Sequence, residues 1–242
     1  MRITYTNSTE EFYFVTAKRI ADMIKRKPDS VIGLATGRTT IGVHKALCEI
    51  YRSDPFDTSC VTVFGMDEIT NLSRDFPGSC YYMLLNQVVK PLNIPMSNFL
   101  MPPVYSDDFG RECRAFEAAI EAKGGVDLQI LGIGENGHLG FNQPGTPFDS
   151  TTWISRMDEK LDERIRRESG SSPEADLGGF TIGIKNIMMS RSIVLAANGS
   201  GKAEIVNKAL NGPVSPEIPA SVLQLHPFCE TILDPDAAAL VR

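Results

Sequence analysis

The chemistry in this chain is concentrated in a few short runs. The densest is Gly132-Ile133-Gly134-Glu135-Asn136-Gly137-His138-Leu139-Gly140-Phe141-Asn142-Gln143-Pro144-Gly145, where five glycines surround one histidine. An imidazole exchanges protons near neutral pH, and glycines let backbone turn tightly or come close to a ligand. A structural histidine in a Gly-rich connection would share the composition, but this loop follows an apolar run, Val126–Leu131, and reads as functional. A second run, Phe64-Gly65-Met66-Asp67-Glu68, ends an apolar stretch with two carboxylates. One of them could serve as a general base; a helix cap or a solvated acidic pair would look the same. A third, Gly33-Leu34-Ala35-Thr36-Gly37-Arg38-Thr39-Thr40, has the composition of a strand end, a glycine turn and a helix start. Free N–H groups and the helix dipole at such a place attract phosphate, although an ordinary capped turn has the same residues. It matches neither a Walker A loop nor GxGxxG, so nucleotide binding is not implied.

These runs need elements to position them. Ser8 to Glu11 has capping-box spacing, and Phe12, Val15, Ile20, Met23 and Ile24 follow at helical spacing. Short apolar strands are expected at Val31–Ala35, Val61–Phe64, Val126–Leu131 and Ser192–Ala197. Thr151–Ile154 has strand character, and Thr231–Leu233 forms a short apolar run near the end. Helices are expected around Ile41–Ile50, Tyr81–Val89, Asp107–Ala122, Asp158–Arg167 and Gly201–Leu210. Phe180–Ile184 reads either way, and Glu168–Gly179 reads as a loop or lid. Apolar strands alternating with amphipathic helices imply βαβ units and a parallel sheet covered on both faces. Ligands then sit beyond the carboxyl ends of the strands, where all three runs lie. No linker divides the chain, so residues 1–242 read as a single domain.

The composition bounds the partners. Lys and Arg number 24 against 30 Asp and Glu, a net charge of −6. That balance carries no footprint for nucleic acid or for an anionic membrane surface. No run approaches the roughly 20 apolar residues of a membrane span, and the first residues lack the pattern of a signal peptide. The five cysteines, Cys48, Cys60, Cys80, Cys113 and Cys229, are scattered without a CxxC. A disulfide framework or metal site is therefore not expected, and a reducing cytoplasm is.

Leu131–Gly145 resembles the signature of the glucosamine-6-phosphate/galactosamine-6-phosphate deaminases, also called isomerases. Phe64–Glu68 is similar to their general-base motif and Leu34–Thr39 to their phosphate loop. Asn198-Gly-Ser-Gly-Lys202 and Pro219–His226 resemble later segments, in the same order. Pro77-Gly-Ser-Cys80 and Lys123–Leu128 look closer to the galactosamine-6-phosphate branch. The resemblance implies an α/β fold, a modified Rossmann-like three-layer α/β/α sandwich with a mostly parallel sheet. It implies conversion of an amino-sugar 6-phosphate to a ketohexose 6-phosphate and ammonia, without metal or organic cofactor. It also implies oligomers. By the same resemblance His138 opens the sugar ring, Asp67 moves the proton between C2 and C1, and Glu68 helps to position Asp67. Asn136 and Gln143 accompany His138. Thr36, Gly37, Arg38, Thr39, Gly137 and Lys202 would surround the phosphate. Arg167 matches a phosphate-contacting arginine, with Arg164 and Arg166 as neighbours that could take its place; a basic helix face is the other reading.

Two positions bear on the resemblance. Asn136 stands where many relatives have aspartate, although asparagine also occurs in the family, and Gln143 stands where glutamate is usual. A glutamine accepts a hydrogen bond but lends no negative charge to an imidazolium. A 6-phosphogluconolactonase-like hydrolase and a sugar-phosphate sensor without turnover are the competing readings. His44 reads as structural, His226 has no role derivable from its context, and Trp153 reads as a packing residue or a sugar platform.

Overall fold

A computed structural model describes residues 1–157 and 159–241. Seven parallel strands form the main sheet. They are β1 (Arg2–Tyr5), β2 (Val31–Leu34), β3 (Thr62–Gly65), β5 (Phe99–Leu100), β6 (Leu128–Leu131), β9 (Ile193–Ala197) and β10 (Cys229–Leu233), in the order β1-β10-β9-β6-β2-β3-β5. Three more strands, β4 (Asp67–Thr70), β7 (Trp153–Ser155) and β8 (Gly178–Thr181), form a small antiparallel sheet in the order β4-β8-β7. The α-helices among the described residues are α1 (Thr9–Arg26), α2 (Arg38–Ser53), α3 (Cys80–Leu84, continued by a π-helical turn at Leu85–Val89), α4 (Phe109–Ala122), α5 (Glu159–Ser169), α6 (Ile184–Met188) and α7 (Ala203–Asn211).

Successive side chains of a strand point to opposite faces, and both faces of this sheet are apolar. Ile32, Ile130, Val194 and Ile232 pack toward α1 and α2, with Phe12, Ile20, Val43 and Leu47. Val31, Leu131, Leu195 and Leu233 pack on the other side with Phe116 of α4, Ile187 of α6 and Val206 of α7. Two buried faces and two helix layers make the three-layer α/β/α sandwich of the mostly parallel, Rossmann-like class. Ser8 caps α1 by accepting from the Glu11 N–H at 3.1 Å. The Glu11 carboxylate reaches back one residue further than a simple capping box, to the Asn7 N–H at 2.7 Å.

The chain leaves β2 toward β3 on one side and β6 toward β9 on the other. The crevice over the carboxyl ends of β2 and β6 is thus the switch point where α/β folds bind ligands. The small sheet stands beside it, because β3 runs through Met66 directly into β4. Between β7 and β8 the chain makes an excursion through α5. Ile165 of α5 packs with Ile69, Leu72 and Phe141 in a separate small core. The expected start of this helix, Asp158, lies outside the described residues.

Candidate active site

Three turns meet at the switch point. The first follows β2. Gly37 is the N-cap of α2 and supplies no side-chain cap; the first turn of the helix has no acidic residue. Its N–H groups are therefore unclaimed by a capping side chain, the arrangement that attracts an anion. The hydroxyls expected to assist point elsewhere. Thr36 donates to the Cys80 thiol at 3.1 Å, Thr39 to Asn198 Oδ1 at 2.7 Å, and Thr40 to the Gly37 carbonyl at 3.1 Å. The side chains of Thr36 and Thr39 thus tie the turn to its neighbours.

The second turn follows β9. Asn198 receives Thr39, and Asp234 accepts the Gly199 N–H at 3.0 Å. Gly199 and the short 3₁₀ turn Ser200–Lys202 then open α7, again without a side-chain cap. Lys202 is half-buried, and its ammonium is pushed below the usual lysine range by burial; Glu135 opposes this and Arg38 adds to it. Lys202, Arg38 and Glu135 are therefore electrostatic neighbours across three loops. Two helix starts and two cations face one spot.

The third turn is the Gly-rich loop after β6. A side chain at Gly134 would overlap the His138 ring, so this glycine lets the imidazole lie over the backbone. His138 Nδ1 lies 2.8 Å from Asn136 Oδ1, which also accepts the His138 backbone N–H at 3.2 Å. The backbone donor identifies that atom as the amide oxygen, so Nδ1 carries the hydrogen and donates to it. Asn136 Nδ2 in turn donates to Gln143 Oε1 at 3.0 Å. Gln143 thus reaches His138 through Asn136 rather than directly, and its own Nε2 is buried without a hydrogen-bond partner. Gly137 is buried, its carbonyl accepting the Ala220 N–H at 3.0 Å, and stands behind the loop.

Asp67 opens β4 beside this loop. A Cβ at Gly140 would stand 3.4 Å from Asp67 Oδ2 and 2.8 Å from Thr181 Oγ1, so only glycine brings the loop this close. Burial raises the Asp67 carboxyl to about 7; the Cys80 thiol opposes that shift and Glu68 adds to it. A carboxyl that ionises near neutral pH suits a general base. Glu68 has another task. Its carboxylate accepts the N–H groups of Ile69 at 2.9 Å, Cys80 at 2.9 Å and Tyr81 at 2.7 Å. It seats the start of α3 on β4, and in doing so places Cys80 against Asp67.

Arg167 is exposed on α5. Arg166 instead binds Asp162 at 2.6 Å and the carbonyls of Ser172, Pro173 and Ala175, which fixes the segment following α5. Arg164 is exposed. Outside the crevice, burial lowers His44 to about 4 beside Gln87, in keeping with a structural role. His226 Nδ1 accepts the Phe228 N–H at 3.2 Å while Nε2 lies 2.9 Å from the Ser190 carbonyl, a clip between two loops. Trp153 donates to Asn142 Oδ1 at 3.0 Å, and Asn142 donates to the carbonyls of Leu139 and Ile182. Trp153 is thereby a brace for the Gly-rich loop. Sequence reasoning quoted Cys80 and Asn198 only as members of family-like segments and assigned neither a role. Asn198 had a signal, since it follows a buried strand; Cys80 had none beyond its place after a Ser N-cap. Among the described residues, no three His, Cys, Asp or Glu side chains are grouped to hold a metal ion, and no helix is long and apolar enough to cross a membrane.

Comparison with known proteins agrees with this layout. The sequence model for glucosamine-6-phosphate isomerases/6-phosphogluconolactonase matches residues 8–231. The chain is 41% identical over 242 residues to a glucosamine-6-phosphate deaminase of Clostridium botulinum (strain Langeland), covering 100% of this chain and 99% of the relative. A solved structure of a monomeric glucosamine-6-phosphate deaminase superposes with a TM-score of 0.93 at 35% identity, over 99% of this chain and 100% of that one. A 6-phosphogluconolactonase from Trypanosoma brucei superposes at 0.79 with 17% identity, over 100% and 98% of the chains, a likeness of fold. The motifs, the crevice and these matches together show that the chain belongs to the glucosamine-6-phosphate isomerase/6-phosphogluconolactonase family.

Proposed function

We propose that this protein is an amino-sugar-6-phosphate deaminase acting on glucosamine 6-phosphate, with galactosamine 6-phosphate as the alternative epimer. The observation that carries the reading is a carboxyl poised near neutral pH, Asp67, beside the loop that holds His138. The uncapped helix starts beside Arg38 and Lys202 supply a place for the 6-phosphate. The deaminase relatives match along the whole chain at 41% identity, which favours deamination over lactone hydrolysis. They also favour the gluco epimer over the galacto epimer suggested by Pro77–Cys80.

His138 Nε2 takes the anomeric hydroxyl proton and returns it at the ring oxygen, opening the pyranose. Asp67 removes the C2 proton and delivers it to C1 while a proton passes from the C2 amine to O1, and water hydrolyses the resulting imine to ketose and ammonia. Each step is a proton transfer or a hydration, so side chains suffice and no cofactor is required. The 242 residues act as one catalytic domain in a reducing cytoplasm. The test is direct. Incubation with glucosamine 6-phosphate yields ammonia and ketohexose 6-phosphate in equal amounts. Ammonia from galactosamine 6-phosphate alone would reassign the epimer. Lactone hydrolysis without ammonia release, or phosphosugar binding without turnover, would overturn the reading.

A further inference from the structure

Cys80 is 5% exposed and stands between two parts of the crevice. Its Sγ accepts the Thr36 hydroxyl at 3.1 Å and donates to Asp67 Oδ1 at 3.5 Å. We propose that Cys80 is a positioning residue, a neutral thiol that holds Asp67 by Oδ1 so that Oδ2 is the reacting oxygen, and that joins the base to the turn after β2. The proposal rests on the assignment of Asp67 as the base.

Several observations converge. Oδ2 is the oxygen that faces Gly140 and the histidine loop, and Oδ1 is the one the thiol takes. Burial and the neighbouring carboxylates Asp67 and Glu68 push the thiol well above its ordinary range, so it remains S–H at working pH. The choice of sulfur also has a physical sense. A thiol is a weak donor, and it orients a carboxylate while stabilising its charge less than an oxygen or nitrogen donor would. A hydroxyl or an N–H at the same place would favour the ionised form more strongly and pull the base below neutrality. Few other groups can set this pKa. Glu68 lies on the same strand and raises Asp67; its own carboxyl is raised by burial, against which three backbone N–H groups and, least, Arg74 act. His138 is on the facing loop. Thr181, paired with Asp67 from β8, and Thr36 carry no charge.

This predicts opposite effects from two small substitutions. Cys80→Ala removes the donor and moves the acid limb of kcat to higher pH by about half a unit or more, with a lower kcat and a nearly unchanged KM. Cys80→Ser supplies a stronger donor and moves the limb to lower pH. Thermal melting checks that both variants fold; the backbone bond from Cys80 N–H to Glu68 survives either change. A carboxyl ¹³C NMR titration of Asp67 in the ligand-free protein reads the same shifts without turnover. If the wild type deaminates neither sugar, the assignment of function fails while the titration still decides the role of Cys80. An Asp67 titration unmoved in both variants, or moved in the same direction, would overturn the proposal.

Discussion

At the scale of single residues, two amides line up behind the imidazole. His138, Asn136 and Gln143 form a hydrogen-bonded chain whose direction is set by one backbone N–H. An amide oxygen fixes the imidazole tautomer but does little to stabilise an imidazolium. Gln143→Glu adds a charge one link away and also replaces the buried, unpartnered Nε2. The substitution is expected to raise the acid limb of kcat/KM for ring opening and to increase kcat; an identical profile would show that the relay carries no charge effect. Asp67 gives a second prediction with a thermodynamic side. Its folded-state value of about 7 lies above the ordinary carboxyl value near 4. A carboxyl raised by folding contributes stability that is full below the unfolded value and is lost as pH rises through the folded one. Asp67→Asn therefore abolishes turnover and retains phosphosugar binding. It also raises stability at pH 8 by on the order of a few kcal/mol, read as a higher melting temperature, and by little at pH 4. A variant that still turns over, or that gains the same at both pH values, would refute the assignment.

At the scale of elements, the junction of β4 and α3 is the piece on which the site depends. Glu68 satisfies three backbone N–H groups at once, and a buried donor without a partner costs roughly 1–3 kcal/mol. Glu68→Ala is expected to lower stability by about 3 kcal/mol or more by denaturant unfolding, and to depress kcat because Cys80 and Asp67 lose their registration. Loss of activity without loss of stability would return Glu68 to the chemistry. The same junction marks where sequence reasoning stopped. The strands that became β2, β3, β6 and β9 were legible because both faces are buried and the residues run apolar. β4 was not, since Asp67-Glu68-Ile69-Thr70 begins with two carboxylates whose partners lie in α3 and the crevice. β1 has exposed ends at the sheet edge, and β5 has two residues. Phe180–Ile184 was ambiguous because it contains both answers: β8 ends at Thr181 and α6 begins at Ile184. The strand-end motifs were readable from local composition. The Thr36–Cys80–Asp67 and Thr39–Asn198 contacts were not, because they join turns 13 to 159 residues apart.

At the scale of the molecule, an acidic protein is proposed to hold a substrate whose phosphate is dianionic. The formal charge is −6, but the field that matters is local, where two helix starts, Arg38 and half-buried Lys202 converge. Backbone N–H groups do not enter a count of charged side chains, so the net charge and the site's preference need not agree. The layout predicts that inorganic phosphate raises the melting temperature relative to chloride at equal ionic strength. A ligand present at a hundred times its Kd and bound only by the folded state stabilises by about 2.7 kcal/mol. Lys202→Ala should remove most of that rise. Arg167→Ala should leave it intact, because Arg167 lies exposed on α5 while Arg166 is engaged with Asp162 and the carbonyls beyond the helix. A long polyanion such as heparin should give no stabilisation, since the positive region is one crevice on an acidic surface and polyanion binding needs an extended basic face. If Arg167→Ala erases the phosphate effect and Lys202→Ala does not, the phosphate belongs to the excursion between β7 and β8 rather than to the helix starts.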